Sequence, residues 1–197
     1  MKGQGFPLPD DLKTMLALRR RSLLGRGLAL SAGAVALLGR RDALAANAAD
    51  GDPAGDVRIL NTALGAEHEA VAAYQVGAES GLLGAAAKTV ALQFQGHHRE
   101  HADAIAATVK KLGGQPVAAK AKYSFPVEKL KSEADVLRFA ASLEQGAVSA
   151  YLGAVPVFGD RALAQVAASI LGDEAMHWAV LRQVLGETPV VPKAFMA

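Results

Sequence analysis

Eight residues recur almost intact 77 positions apart, and this repeat limits what the chain can fold into. Glu67-His-Glu-Ala-Val-Ala-Ala-Tyr74 and Glu144-Gln-Gly-Ala-Val-Ser-Ala-Tyr151 agree at five of eight positions, both ends included. Each copy is followed by a pair of chelating residues three apart: His98-x-x-His101 comes 31 residues after Glu67, and Glu174-x-x-His177 comes 30 after Glu144. Residues three apart share one face of an α-helix, so each pair offers two donor atoms to one point. The chain therefore reads as two copies of a helical hairpin. Polar groups on the inner face of one hairpin stay unsatisfied, whereas two facing hairpins converge six nitrogen and oxygen donors.

Hydrophobic periodicity supplies the helices. Leu60, Leu64, Glu67, Val71, Tyr74 and Ala78 form one stripe of a first helix over about 56–80. Gly81 and Gly84 interrupt it, and a second helix over about 85–112 carries Val90, Phe94, His98, His101, Ile105 and Leu112 inward. From Gly113 to about Lys131 the periodicity is lost. Roughly 18 residues at about 3.3 Å each can run the length of a bundle, so this segment reads as a crossover. Ser132-Glu-Ala-Asp135 reads as the cap of a third helix, with Leu137, Ala140, Glu144, Ala147, Tyr151 and Ala154 on its stripe and Pro156 ending it. Asp160 caps a fourth, with Leu163, Val166, Ile170, Glu174, His177, Leu181 and Val184 inward and Gly186 and Pro189 beyond its end. The expected class is all-α.

Composition excludes several chemistries. The chain is 51% hydrophobic and 20% charged, which suffices for a buried core, and only 5% aromatic, which suits close packing of small residues between helices. Without cysteine there is no disulfide, thiolate-bound metal, iron–sulfur centre or thiol nucleophile, so any metal is held by His and carboxylates. The overall charge of +2 is misleading about partners. Residues 1–45 hold eight Lys and Arg against three Asp, leaving 13 basic and 16 acidic residues in 46–197, a net of −3. Nothing there argues for nucleic acid.

The basic N-terminal segment has the anatomy of a signal peptide. Arg19-Arg-Arg-Ser-Leu-Leu24 precedes an uncharged run from Gly27 to Gly39, and Ala43-Leu-Ala45 or Ala46-Asn-Ala48 offers a small-x-small cleavage site. The apolar run is shorter than the roughly 20 residues that span a bilayer. The segment resembles a twin-arginine leader, with an ordinary secretory signal or an uncleaved anchor as alternatives. The expected organisation is a signal peptide over 1–45 and a helical domain over 46–197, exported to the periplasm or beyond, with no membrane association once the leader is removed.

Over about residues 56–186 the sequence resembles the ferritin-like superfamily, in particular its exported members with twin-arginine leaders. The resemblance implies a four-helix bundle of two antiparallel hairpins, with the long crossover between helices two and three. It also implies metal ligands: Glu67 and Glu144 match the single glutamates of helices one and three, Glu174 and His177 match the second E-x-x-H, and His101 matches the histidine of the first. His98 departs from the pattern, which has a bridging glutamate there. Three carboxylates with neutral histidines carry −3, which leaves about +1 beside two divalent ions. Two iron or manganese ions, an unequal pair bridged by Glu174 alone, and a single iron, manganese or zinc ion all remain open.

The implied chemistry is oxidation of iron or manganese by dioxygen or peroxide, or peroxide removal under oxidative stress. A non-enzymatic stress or desiccation bundle, with one structural metal or none, is the alternative. A homodimer is compatible with either. Tyr74 and Tyr151 lie seven residues beyond Glu67 and Glu144 on the same stripes. They read as core residues, or as groups that hydrogen-bond to ligands or donate electrons. His97, His68 and Glu69 are expected to flank the site, with His97 the best reserve ligand; Glu100 is expected on the outer face, and Met176 and Trp178 in packing.

Overall fold

A computed structural model of the chain describes residues 53–191. Among these residues the regular structure is four helices and no strands: α1 (Pro53–Glu79), α2 (Ala85–Lys111), α3 (Glu133–Ala154) and α4 (Arg161–Val184), with short 3-10 turns at Val127–Lys129 and Val155–Val157. The expected leader over 1–45 lies outside the described residues. No described helix is long and apolar enough to cross a membrane.

Local chemistry sets the helix ends. Ser132 Oγ accepts from the Asp135 N–H at 3.3 Å, and Asp135 Oδ2 accepts from the Lys131 N–H at 3.1 Å, so the two side chains satisfy free donors at the start of α3. Asp160 Oδ1 accepts from the Ala162 N–H at 2.7 Å and starts α4. Gly113 and Gly186 take positive φ angles of 79° and 70° just past α2 and α4, where a side chain would be strained. That turn lets the Gly114 N–H donate to Val109 O at 2.9 Å and the Glu187 N–H donate to Arg182 O at 3.0 Å.

Two details differ from the sequence expectation. α1 begins at Pro53, three residues earlier than expected, where proline costs no helical hydrogen bond. Asp56 thus lies inside the helix, buried, and its carboxylate accepts from the Gly159 N–H at 2.8 Å and the Asp160 N–H at 3.0 Å. In α4, Val166 and Val184 are exposed rather than inward. The buried line instead passes through Ala167, Ile170, Glu174, His177 and Leu181, flanked by the half-buried Leu163 and Leu185, because 3.6 residues per turn carries it one position on at each end.

α1 pairs with α2, α3 pairs with α4, and α1 meets α3. The crossover spans the bundle, as its ends attest. Asn61 Nδ2 donates to Gln115 O at 2.9 Å and its Oδ1 accepts from the Val117 N–H at 2.8 Å, so the crossover leaves beside the first half of α1. At the other end Glu133, at the start of α3, accepts from the Gly84 N–H at 2.5 Å, just ahead of α2. The segment thus returns along α2, whose 27 residues measure about 40 Å. Phe125 is anchored edge-on against Phe139 of α3, with centroids 5.9 Å apart.

The interior has three layers. One apolar cluster centres on Leu60, Leu64, Ile105, Val109 and Ile170, and another on Phe94, Leu137, Ala141 and Leu181. Between them lie the buried Glu67, His98, Glu144, Glu174 and His177.

The Asp56 carboxylate joins the first turn of α1 to the turn between α3 and α4. Asp56→Ala leaves two backbone donors without their charged acceptor and should cost about 1–3 kcal/mol. Urea unfolding followed by circular dichroism measures it; an unchanged midpoint would remove this link from the fold's support.

Candidate metal centre

Each helix delivers its chelating residues to the middle layer: Glu67 from α1, His98 and His101 from α2, Glu144 from α3, and Glu174 and His177 from α4. Their donor atoms fall into two overlapping groups, Glu67–His98–His101–Glu174 and His98–Glu144–Glu174–His177, each within 4.8 Å of one another. Glu174 is fully buried and common to both: Oε1 is 3.2 Å from His101 Nδ1 and 3.5 Å from His98 Nδ1, and Oε2 is 3.8 Å from His177 Nδ1. His98 is also common to both. Its Nδ1 lies 2.9 Å from Glu67 Oε2 and its Nε2 lies 3.4 Å from Glu144 Oε1. The sequence left open an unequal pair bridged by Glu174 alone; in the structure the His98 imidazole also spans the two halves, through its two different nitrogens.

The tyrosines cross between the repeats. Tyr74 of α1 donates to Glu144 Oε1 on α3, and Tyr151 of α3 donates to Glu67 Oε1 on α1 at 2.5 Å. Each phenol thus holds the glutamate of the opposite hairpin, which the one-dimensional repeat did not reveal. Burial first, and then the partner carboxylate, raises both phenol pKa values well above 10, so both remain neutral donors.

The two halves are not equivalent. Glu67 has Tyr151 on one oxygen and His98 and His101 beside the other. By contrast, Glu144 Oε2, both oxygens of Glu174, His177 Nδ1 and His101 Nδ1 are buried with no hydrogen-bond partner. Leaving such atoms unpaired is costly, and a cation among them is the usual remedy. The donor set of carboxylates and imidazoles fits a divalent first-row metal, and its orphaned atoms are most numerous in the Glu144–Glu174–His177 half.

Protonation shows what the layer does without a cation. Burial tends to neutralise every member, but contacts with His101 and His98 hold Glu67 at about 2, and neighbouring groups likewise hold Glu144 well below the usual carboxylate range. Burial and the adjacent Glu144 carboxylate push Glu174 up to about 7. Although burial disfavours their charge, His101 is raised to about 9 by Glu174 and Glu67, and His177 to about 9 by Glu144 and Glu174. Protons on the histidines then stand in for metal charge.

Other flanking residues take varied places. Glu100 and Met176 are exposed; His68, Glu69 and Trp178 are half-buried. His97 is half-buried on α2, with Nδ1 2.8 Å from His177 Nε2. Phe94 stacks on the His177 ring, with centroids 4.0 Å apart at 22°. Asp173 was missed by the sequence reading. Its Oδ2 lies 3.3 Å from His101 Nε2 and 3.3 Å from His177 Nε2, opposite the Nδ1 atoms that face Glu174. The available signal was its position four residues before His177, which puts both on one helix face. Gln95 was missed as well; it is buried and donates to Val71 O at 2.9 Å and Gln75 Oε1 at 2.8 Å, joining α2 to α1.

This fold and polar layer define a helical-bundle protein with a buried His and Glu cluster that could hold metal. The chain belongs to the ferritin-like domain family, whose sequence pattern it matches over residues 55–187. Among solved structures it is similar to a conserved hypothetical protein from Mycobacterium tuberculosis, with a TM-score of 0.62 and 23% identity over 73% of this chain and 99% of that one. That likeness concerns the fold. No curated protein matches the sequence.

The pKa shifts give a signed expectation. The protons on His101 and His177 stabilise the metal-free fold completely below pH 6.5, and that contribution is lost as pH rises to about 9. Glu174 acts in the same direction between about 4.5 and about 7, whereas Glu67 stabilises above 4.5 and loses its contribution only as pH falls towards 2. Thermal melting in chelator should therefore show a midpoint that declines from pH 6.5 to 9. Zinc binding at pH 7 should release protons, read as calorimetric enthalpies that depend on the buffer; buffer-independent enthalpies would contradict this protonation pattern.

Proposed function

We propose that this chain is an exported ferritin-like metal-binding protein whose buried centre takes a first divalent ion at Glu144, Glu174 and His177. A second ion is held less firmly at Glu67 and His101, with His98 and Glu174 between the two. The observation that carries this reading is the set of five orphaned buried donor atoms, which lie on Glu144, Glu174, His177 and His101 and not on Glu67. Iron or manganese held by these residues would supply the redox chemistry, itself being oxidised as dioxygen or peroxide is reduced. The protein's own contribution is positioning and exclusion. Tyr151 tethers Glu67 Oε1 and leaves Oε2 beside His98 and His101, whereas Tyr74 tethers the same Glu144 oxygen, Oε1, that faces His98 and His177, and leaves Oε2 buried without a partner. The apolar clusters on both sides keep bulk water from the layer.

A second reading is supported by His98. Its nitrogens face Glu67 and Glu144 where the family pattern has a carboxylate, so three protonated histidines can neutralise the layer without metal. In that case the bundle is non-enzymatic and holds one structural metal or none.

Metal analysis of the exported protein, followed by iron(II) oxidation with oxygen or peroxide, separates the two. The first reading expects bound metal and turnover that Glu174→Ala and Glu144→Ala abolish; bound metal without turnover favours the second, and no metal after iron loading ends the first. Within the series, Glu174→Gln should lose most metal, Glu144→Gln should lose the first ion, and Glu67→Gln should keep it. Equal losses at all three would contradict the unequal halves. Tyr74→Phe releases Glu144 from its tether and should weaken the first ion about 10–100-fold by competition dialysis, with the fold intact.

A further inference from the structure

Outside the six residues of the middle layer, His97 of α2 and Asp173 of α4 meet at the outer nitrogen of His177. His97 Nδ1 lies 2.8 Å from His177 Nε2, and each of these nitrogens lies 3.3 Å from Asp173 Oδ2. We propose that His97, Asp173 and His177 form a separate, solvent-facing metal position that takes up a divalent transition-metal ion before it passes to the buried centre. The passage inward rests on the reading of the buried centre as a metal site; the outer position does not.

Three observations carry the assignment. First, the triangle has the size of a metal face. Nitrogen and oxygen donors about 2.0–2.2 Å from a tetrahedral ion stand about 3.3–3.5 Å apart, so only the His97–His177 edge needs to open by about half an ångström. Second, hydrogen bonding accounts for only one edge of the triangle, the contact between His97 and His177. Two imidazole nitrogens at 2.8 Å cannot both carry a proton towards each other, so one presents its lone pair there. The contacts of Asp173 with both rings are at ion-pair distance, and among the three only the His97–His177 contact has hydrogen-bond geometry. Third, exposure falls along the path: the His97 side chain is 33% exposed, Asp173 24%, and His177 2%.

His177 links this position to the centre because its other nitrogen, Nδ1, is a buried atom without a partner facing Glu144 and Glu174. A neutral imidazole has one lone pair and one N–H, so it serves one ion at a time. With an ion outside, Nε2 ligates and Nδ1 keeps the proton. With the ion inside, Nδ1 has passed its proton to solvent and ligates, while Nε2, beside Asp173, has taken a proton from solvent. The ring gains and loses nothing in net charge, and the Phe94 stack holds its plane during the exchange. Charge sets the direction, because the outer position has one carboxylate and the inner layer has three.

The test uses cobalt(II) as probe with the full chain. Glu144→Gln with Glu174→Gln disables the inner centre, and this double variant should still bind one cobalt ion, seen by equilibrium dialysis and as a visible absorption band. Adding His97→Gln or Asp173→Asn should abolish that ion. In the otherwise unaltered chain, His97→Gln should leave the final inner stoichiometry unchanged and slow its filling about tenfold or more in stopped-flow absorption. No cobalt in the double variant, or cobalt unaffected by both His97→Gln and Asp173→Asn, overturns the outer site. An unchanged filling rate overturns its uptake role. A His97-dependent ion in the double variant, found together with no inner ion in the unaltered chain, supports the outer site and rejects the inner one.

Discussion

Gathering three buried carboxylates, two buried imidazoles and the half-buried His101 in one layer, with no Lys or Arg buried among the described residues, is the constraint on which the structure turns. Isolated carboxylates in a low-dielectric interior cost several kcal/mol each unless paired. Here the pairing is shared by four helices, so each hairpin's glutamate takes part of its support from the other hairpin. Glu67 is held by Tyr151 and His98, and Glu144 by Tyr74, His98 and His177. The polar layer therefore specifies how the hairpins face each other, a role the apolar clusters on either side cannot perform, since alanine and leucine packing tolerates sliding.

The same layer departs from two-fold symmetry in a way that matters chemically. Repeated sequence yields repeated backbone and a reciprocal exchange of tyrosine hydroxyls. Yet His98 occupies the place that Glu174 occupies in the other half, and the consequences spread. Glu67 becomes well satisfied and strongly acidic, Glu174 retains a proton to about pH 7, and the unpartnered donors gather on the side of Glu144 and His177. On that side the histidine ring also reaches outward to His97 and Asp173. The histidine at this place on α2 thus gathers the unpartnered donors in the half whose own histidine, His177, contacts His97 as well as Asp173.

Much of this was legible beforehand. Helix positions followed from the spacing of apolar residues and from Ser132, Asp160, Gly113 and Gly186, because capping and turn preferences act over a few neighbouring residues. The six chelating residues stood out because a helix that interrupts its apolar stripe with Glu or His must find partners for them. What escaped was relational. The roles of Asp173, Gln95 and Asp56 were not read from the sequence. Gln95 and Asp56 acquire their roles only from groups distant in sequence, the α1 backbone and the turn after α3, and Asp173 from the outer nitrogen of the distant His101 together with that of His177, four residues on.

By itself the sequence determined four helices, their pairing into two similar hairpins, and which polar residues face inward, since these depend on local periodicity and on the cost of burying charge. Only the tertiary structure decided which tyrosine holds which glutamate, which atoms remain without partners, and that His98 spans the centre through both nitrogens. Those outcomes depend on how one hairpin is rotated and shifted against the other. A displacement of an ångström or two would break these contacts without changing a single residue's pattern along the chain.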